Sequence, residues 1–489
     1  MRLALLVLLA ASIVARAADL KAKLDGLIAQ EPALRGATVG FQVVSLADGH
    51  VAYEHDAGVR LIPASNMKLF TTALALEKLG PEYRFQTVIG ADRPIDAKGR
   101  LASDLVLVGG GDPSLSGRTY PYEYHASPDL SPYSFRGIEA MADQLLARGL
   151  KRVDGSVVGD DRRYVWEPHA ADWAMDDAVW SYGSPVSALI LDDNSFALTL
   201  KPGAPGELAS ITLTPPFEYF AVENLIRTEP GAQRKVEIER SPAGRQLRLS
   251  GVLPPDDPGY TTELAVDDPA VYAAAVLRGA LERRGVAVRG GAIARHRFPK
   301  DAAADSAPAV VLATRSSPPL ARLLEVIDKV SQNLHAEAVL REAGVVLKHE
   351  GSREAGLAAT DDFLDGIGVR KASYAFYDGS GLARNTMVTT DAIVRLLVHM
   401  DQSSRRVEWQ RLLPGAGSEG TLAKRFADHP EARRIGAKTG SLAHVRALSG
   451  YVDSASQGRL AFSLLVNNFD ASDEEIARVV DQLALTLAE

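Results

Sequence analysis

Three short stretches carry residue types that can do acyl chemistry together. Ser65-Asn66-Met67-Lys68 puts a hydroxyl and an amine three residues apart at a predicted helix start, where positions i and i+3 share a face. A serine hydroxyl attacks well only when a neighbouring base takes its proton. Lysine is such a base only when burial or a second cation lowers its pKa. The helix N-terminus adds N–H groups and a dipole that favour negative charge developing beside Ser65. Ser331-Gln332-Asn333 falls in a segment predicted helical from Val330 to Leu340; its serine can pass a proton and its asparagine can hold an amide. Lys438-Thr439-Gly440-Ser441 falls on a predicted strand. There Lys438, Thr439 and Ser441 can bind a carboxylate, and Gly440 lets a substrate backbone lie against the strand. A following N–H can join that of Ser65 as an oxyanion hole. Alone, each stretch reads better as something plainer: a chance match for Ser65 to Lys68, polar surface or capping for Ser331 to Asn333, a turn before a strand for Lys438 to Ser441. Together and in this order they point to one cleft, in which Lys438 disfavours a second charge on Lys68.

The elements that must position these residues follow from pattern. A short helix is predicted over Leu20 to Gln30, then a strand over Thr38 to Val44, an Asp48-Gly49 turn and a second strand over Val51 to His55. Pro63-Ala64-Ser65 opens a helix that Gly80-Pro81 stops. From Pro81 the texture changes to glycine, proline and short β-like runs, including Leu105 to Val108, Ser156 to Gly159, Phe196 to Leu200 and Ile211 to Thr214. Asp301 to Pro308 is a linker candidate. Helical pattern returns over Leu320 to Lys348 and Thr390 to Met400. Strands follow at Ala437 to Leu442, Val445 to Val452 and Leu460 to Asn467, and a helix closes the chain. The expectation is an α/β (α+β) fold: a central antiparallel sheet flanked by helices, interrupted by a large, mostly-β insertion. Residues 18–80 and 319–489 form the discontinuous core, and 81–318 form one or two smaller subdomains.

Composition narrows the chemistry. The chain has 489 residues, a formal charge of −8 and no cysteine, which excludes thiol nucleophiles, thiolate metal sites and disulfides. An acidic balance argues against a nucleic-acid partner. No metal motif or cofactor fingerprint is present: Gly109-Gly110-Gly111 lacks a following G-K-[ST] and reads as a tight turn. Asp160-Asp161 reads as a loop, His335 as a helical core histidine, Arg384 as a cleft cation or a surface arginine, and Tyr374 to Tyr377 as core. At the N-terminus, Arg2, the apolar run Leu3 to Val14 and Ala15-Arg16-Ala17 read as a signal peptide, residues 1–17, cleaved after Ala17. The run is too short to span a bilayer and no later segment does so, which implies a periplasmic or secreted product without a transmembrane anchor.

The motif set S-x-x-K, S-x-N and K-T-G is shared by β-lactamases and penicillin-binding proteins. Ser65 and Ser331 are 266 residues apart, and the insertion directly after the S-x-x-K helix resembles the class C low-molecular-mass penicillin-binding proteins. These are the penicillin-binding protein 4-type D-alanyl-D-alanine carboxypeptidases/endopeptidases. Gly109 to Pro113, Ser184 to Leu189 and Asp378-Gly379-Ser380-Gly381-Leu382 also match the family. Gln332 stands where the family has Asp, and Ala383 where it has Ser. The resemblance implies a β-lactamase/transpeptidase-like domain. It also implies that Ser65 attacks the penultimate D-Ala carbonyl of a peptidoglycan stem peptide, with Lys68 as base, Ser331 as proton carrier and Asn333 orienting the peptide. Lys438, Thr439 and Ser441 then hold the terminal carboxylate, and β-lactams acylate the same serine. Asp177, in Trp173-Ala174-Met175-Asp176-Asp177, aligns with an insertion Asp that binds the diaminopimelic amino group. The rival readings are a secreted β-lactamase and a non-catalytic cell-wall binding protein.

Overall fold

The structure, a computed structural model, describes residues 19–124, 133–241, 244–302, 307–426 and 428–489. The expected signal peptide and residues 303–306 of the expected linker lie outside them. The chain divides into two compact units. One holds the chain up to Glu82, then Leu320–His349 and Arg353–Glu489; the other holds Tyr83–Pro319 with Glu350–Ser352. The short return at 350–352 carries no sequence signal. It follows from backbone contact inside the second unit, where Val165 N donates to Gly351 O at 2.8 Å and a Cβ on Gly351 would stand 2.2 Å from Arg163 O.

The first unit is built on a five-stranded antiparallel sheet. Its order is Ile435–Leu442, Val445–Ser454, Gly458–Asn467, Thr38–Ser45, Val51–His55. Alternation sends Val39, Phe41, Val43, Leu448, Phe462, Leu464 and Val466 to one face. There they pack with Leu24 and with Ile476, Val480, Leu483 and Leu487 of the closing helix Asp473–Ala488. Ser472 and Glu475 cap that helix reciprocally. The opposite face is covered too, so Thr38–Ser45 is buried along nearly its whole length rather than alternating with solvent. On that face a Cβ on Gly40 would meet Leu61 at 2.9 Å and Thr390, the first residue of helix Thr390–Gln402, at 3.4 Å.

Helix Lys68–Lys78 is central: residues 68 to 76 are all buried. A helix without a solvated face must satisfy its polar side chains internally. Accordingly, Thr71 Oγ1 donates to Gly379 O at 2.7 Å and Thr72 Oγ1 to Lys68 O at 2.8 Å. Phe70 packs on Phe376, which stacks on Tyr374, so the aromatics near 374–377 join the turn after them to this helix.

The second unit has a five-stranded mixed sheet ordered Ala292–Arg297, Val157–Val165, Leu105–Val108, Gln86–Ala91, Val310–Ser316. Helices Arg136–Ala147 and Pro269–Arg283 share its core, and three smaller sheets complete a mostly-β body. Asp160 and Asp161 sit on the buried strand Val157–Val165, not in a loop. Each has a partner that makes burial tolerable: Arg162 Nη2 at 2.6 Å for Asp160, and Ser187 Oγ at 2.8 Å with His296 Nδ1 at 2.9 Å for Asp161.

Candidate active site

Ser65 lies in a 3₁₀ turn, Ala64–Met67, that runs directly into the Lys68 helix. The turn is held from outside: Asn66 Nδ2 donates to Lys438 O at 3.0 Å, and Ala64 takes the left-handed region at φ 46°. Lys68 is fully buried. Its Nζ lies 2.9 Å from Ser65 Oγ, 2.6 Å from Asn333 Oδ1 and 2.8 Å from Ser380 O.

The second motif does not lie inside a helix. Helix Leu320–Lys329 ends, Ser331 adopts φ 67°, Gln332 is extended, and a new helix starts at Asn333. In a continuous helix two residues turn through about 200°, so Ser331 and Asn333 would face apart. The left-handed residue lets both reach the same centre. Gln332 Oε1 accepts from Leu334 N at 2.8 Å and caps the new helix, as an Asp would. The departure from S-D-N therefore stays outside the proton path.

Lys438 is equally buried, on the edge strand Ile435–Leu442, and its Nζ donates to Ser331 Oγ at 2.9 Å and Thr439 O at 3.0 Å. Thr439 Oγ1 donates to Thr421 Oγ1 at 2.8 Å, and Arg446, opposite on the next strand, donates to Ser441 Oγ. Gly440 has a different use from the expected one. Its missing side chain makes room for the serine turn, since a Cβ would stand 2.6 Å from Pro63 O and 3.1 Å from Ser65 N. Ala437 N donates to Pro414 O on the outer edge of this strand, and alternation sends the N–H of Ser441 to that edge too. Arg384 is exposed and touches Ala443 O at 3.4 Å. His335 is buried in the helix Asn333–Lys348.

Charge around the two lysines explains their protonation. Removing an ammonium from water costs several kcal/mol, whereas a neutral hydrogen bond returns only about 1 kcal/mol. Burial first, and Lys438 second, hold Lys68 well below the usual lysine range, against opposing pulls from Asp378, Glu337 and Asp328. Burial lowers Lys438 to about 8, opposed by Asp328. Asp328 is itself fully buried and pushed up by that burial.

Unit by unit, the first brings together Ser65, Lys68, Ser331, Asn333, Lys438, Thr439, Gly440 and Ser441. Asp177 belongs to the second unit, in the turn Met175–Val179, where its side chain engages Tyr182. Sequence reasoning missed Asp328, Glu337, Thr421, Arg446 and the carbonyl of Ser380. Glu337 had a signal, one helical turn after Asn333; the others depend on chain folding that no local spacing encodes.

Comparison with known proteins gives this geometry its context. The profile of the D-Ala-D-Ala carboxypeptidase 3 (S13) family matches residues 20–489. A D-alanyl-D-alanine carboxypeptidase of Actinomadura sp. (strain R39) is 35% identical, over 97% of this chain and 85% of that protein. The D-alanyl-D-alanine carboxypeptidase DacB of Haemophilus influenzae is 24% identical, over 90% and 87%. The crystal structure of penicillin binding protein 4 from Haemophilus influenzae covers 95% of this chain and 98% of its own at a TM-score of 0.81 and 22% identity. The same protein complexed with a β-lactam gives 0.75 over the same shares. Family and fold agree with the motifs, and the chain belongs to the D-Ala-D-Ala carboxypeptidase 3 (S13) family of serine peptidases.

Proposed function

We propose that this D-Ala-D-Ala carboxypeptidase works through an acyl-enzyme on Ser65, trims and cleaves peptidoglycan stem peptides, and is acylated there by β-lactams. The observation that carries the reading is the set of three oxygens around Lys68, two of them acceptors only and the third the Ser65 hydroxyl. A neutral lysine amine has two N–H groups and one lone pair. Asn333 Oδ1 and Ser380 O are acceptors only, so they take both N–H groups and leave the lone pair facing Ser65 Oγ. That is the arrangement a general base requires.

Ser65 Oγ attacks the penultimate D-Ala carbonyl while its proton passes to Lys68 Nζ. The N–H groups of Ser65 and Ser441 receive the oxyanion. Lys438, charged at neutral pH, has one donor beyond the two used on Ser331 and Thr439 and attracts the terminal carboxylate, with the Thr439–Thr421 hydroxyls and Ser441–Arg446 at the strand edge. Ser331 hands its proton to the departing amine and takes one from Lys438 Nζ, which donates to its Oγ, while Asn333 orients the peptide. Water then hydrolyses the ester as the two lysines exchange protons back. Asp177 as a contact for a diaminopimelic amine belongs to this reading, as does an exported protein; no helix among the described residues is long and apolar enough to cross a membrane. The β-lactam complex of the Haemophilus influenzae protein supports the acylation.

Intact-mass measurement of the protein with penicillin tests this. A persistent adduct absent from Ser65→Ala, with D-Ala release from a pentapeptide, is expected. Rapid adduct turnover would favour a β-lactamase, and no adduct would leave only a binding role.

A further inference from the structure

The ladder Asn333, Glu337, Arg341, half-buried at Asn333 and fully buried beyond it, runs along one face of helix Asn333–Lys348 at i, i+4 spacing, and its first member already touches Lys68. Glu337 has no exposure, and its two oxygens are fully engaged. Oε1 accepts from Gly379 N and from Ser380 N, both at 2.8 Å, and Oε2 accepts from Arg341 Nη1 at 3.0 Å. The turn it grips is the one whose Ser380 carbonyl accepts from Lys68 Nζ. Asp378 closes that turn from within, accepting from Gly381 N at 3.0 Å and Ala383 N at 2.8 Å, and Thr71 Oγ1 holds Gly379 O from the serine helix. Two N–H groups of successive residues on one carboxylate oxygen fix the Asp378–Gly379 and Gly379–Ser380 peptides, and Asp378, through Gly381 N, holds the adjoining Ser380–Gly381 peptide that carries the Ser380 carbonyl. The Ser380 carbonyl decides which way the Lys68 amine turns.

We propose that Glu337 is a positioning residue: through the Gly379–Ser380 backbone it aims the Lys68 lone pair at Ser65. The inference rests on Lys68 being the base. Glu337 never touches substrate, and a purely packing role for it would leave proton transfer alone.

The groups around it set the sign of the effect. Lys68 faces Lys438 from the edge strand, Asp378 from the turn, Asp328 from helix Leu320–Lys329 and Glu337 from its own helix. Glu337 faces Asp378 and Arg341. Its negative charge supports the ammonium form of Lys68, so removing the charge makes Lys68 a free base at lower pH. Glutamine keeps an oxygen for the two N–H groups without the charge, and alanine removes both.

The test is the second-order rate of labelling by a fluorescent penicillin across pH, with thermal melting of each protein. Glu337→Gln should move the ascending limb to lower pH, and Glu337→Ala should cut the plateau rate at least tenfold below the Gln variant. Glu337→Gln/Arg341→Met and Glu337→Ala/Arg341→Met, which remove the guanidinium along with its partner, answer the question if a lone buried Arg341 prevents folding. Folded variants with the wild-type limb and plateau, whatever their melting temperature, would overturn the positioning role alone. A wild-type chain that penicillin does not label would instead overturn the reading of Ser65 and Lys68 beneath it.

Discussion

Both units bury cations, but they satisfy them differently. In the second unit four buried or half-buried cations meet a carboxylate directly: Arg118 on Asp193, Arg315 on Asp112, Arg162 on Asp160, and His296 between Asp161 at 2.9 Å and Asp268 at 3.2 Å, whereas half-buried Arg240 rests on the carbonyls of Ala178 and Ala265. The first unit treats Arg341 in the same way, with Glu337. Its two fully buried lysines are exceptions. Among the described residues neither Lys68 nor Lys438 has a carboxylate oxygen within 4 Å; they rest on hydroxyls, an amide oxygen and backbone carbonyls. A direct ion pair locks the charged form, whereas neutral acceptors let burial dominate and free the proton to move. Carboxylates stand farther from the lysines and adjust their proton affinity without fixing it. The contrast separates charges locked in pairs from the two that the proposed function assigns to proton transfer and carboxylate binding.

The largest effect should come from removing the lysine that the comparison singles out. Lys68→Met should lower the penicillin labelling rate by about 10²–10⁴-fold, the range of a lost general base. It should leave the melting temperature equal or higher, because no carboxylate loses a direct partner. A Lys68→Met protein labelled near the wild-type rate would assign the base elsewhere. The paired cations should show the reverse. Asp193→Ala strands Arg118 and should cost about 3–5 kcal/mol in denaturant unfolding of the second unit, most of it recovered when Arg118→Met is added. If the single and double variants are equally stable, the pair is not what that region depends on.

How far the sequence already showed this contrast depends on the scale of the signal. Strand alternation, the Asp48-Gly49 turn and the Gly80-Pro81 stop are local, and the observed sheet and serine helix follow them. Ser65, Lys68, Ser331, Asn333 and Lys438 were legible because their spacing is a chemical requirement that survives the long interruption. Ser331 was misread as helical because nothing local announces a left-handed residue between two helices; its φ of 67° reflects how the second helix must start beside Lys68. Asp161 looked like part of a loop because its partners Ser187 and His296 come from distant segments, whereas Asp160 is paired two residues on with Arg162. Gly440 was assigned to substrate although its space is taken by the serine turn, a contact 375 positions away in the chain and visible only in three dimensions. Buried carboxylates are the hardest to read, since an Asp in an amphipathic helix looks like a solvated one.

Asp328 is such a residue, and it gives the smallest but sharpest test of the contrast. It sits three residues before Ser331, without exposure, and supports the charged form of Lys438 first and of Lys68 less strongly. The activity profile should rise as Lys68 loses its proton and fall as Lys438 loses its own near pH 8. Lys438 is lowered by burial and raised by Asp328, so Asp328→Asn leaves burial unopposed and carries the descending limb to lower pH. Two charges several ångströms apart at an effective dielectric of about 20 interact by more than 1 kcal/mol, and one pH unit corresponds to about 1.4 kcal/mol. A displacement of at least about half a unit is therefore expected in kcat/KM for D-Ala release. The ascending limb should follow in the same direction by less, because Asp378 and Glu337 still support Lys68. The optimum should narrow from its alkaline side. A descending limb that stays in place would mean that Asp328 only fills space, and that the two lysines are set apart by burial without help from a distant charge.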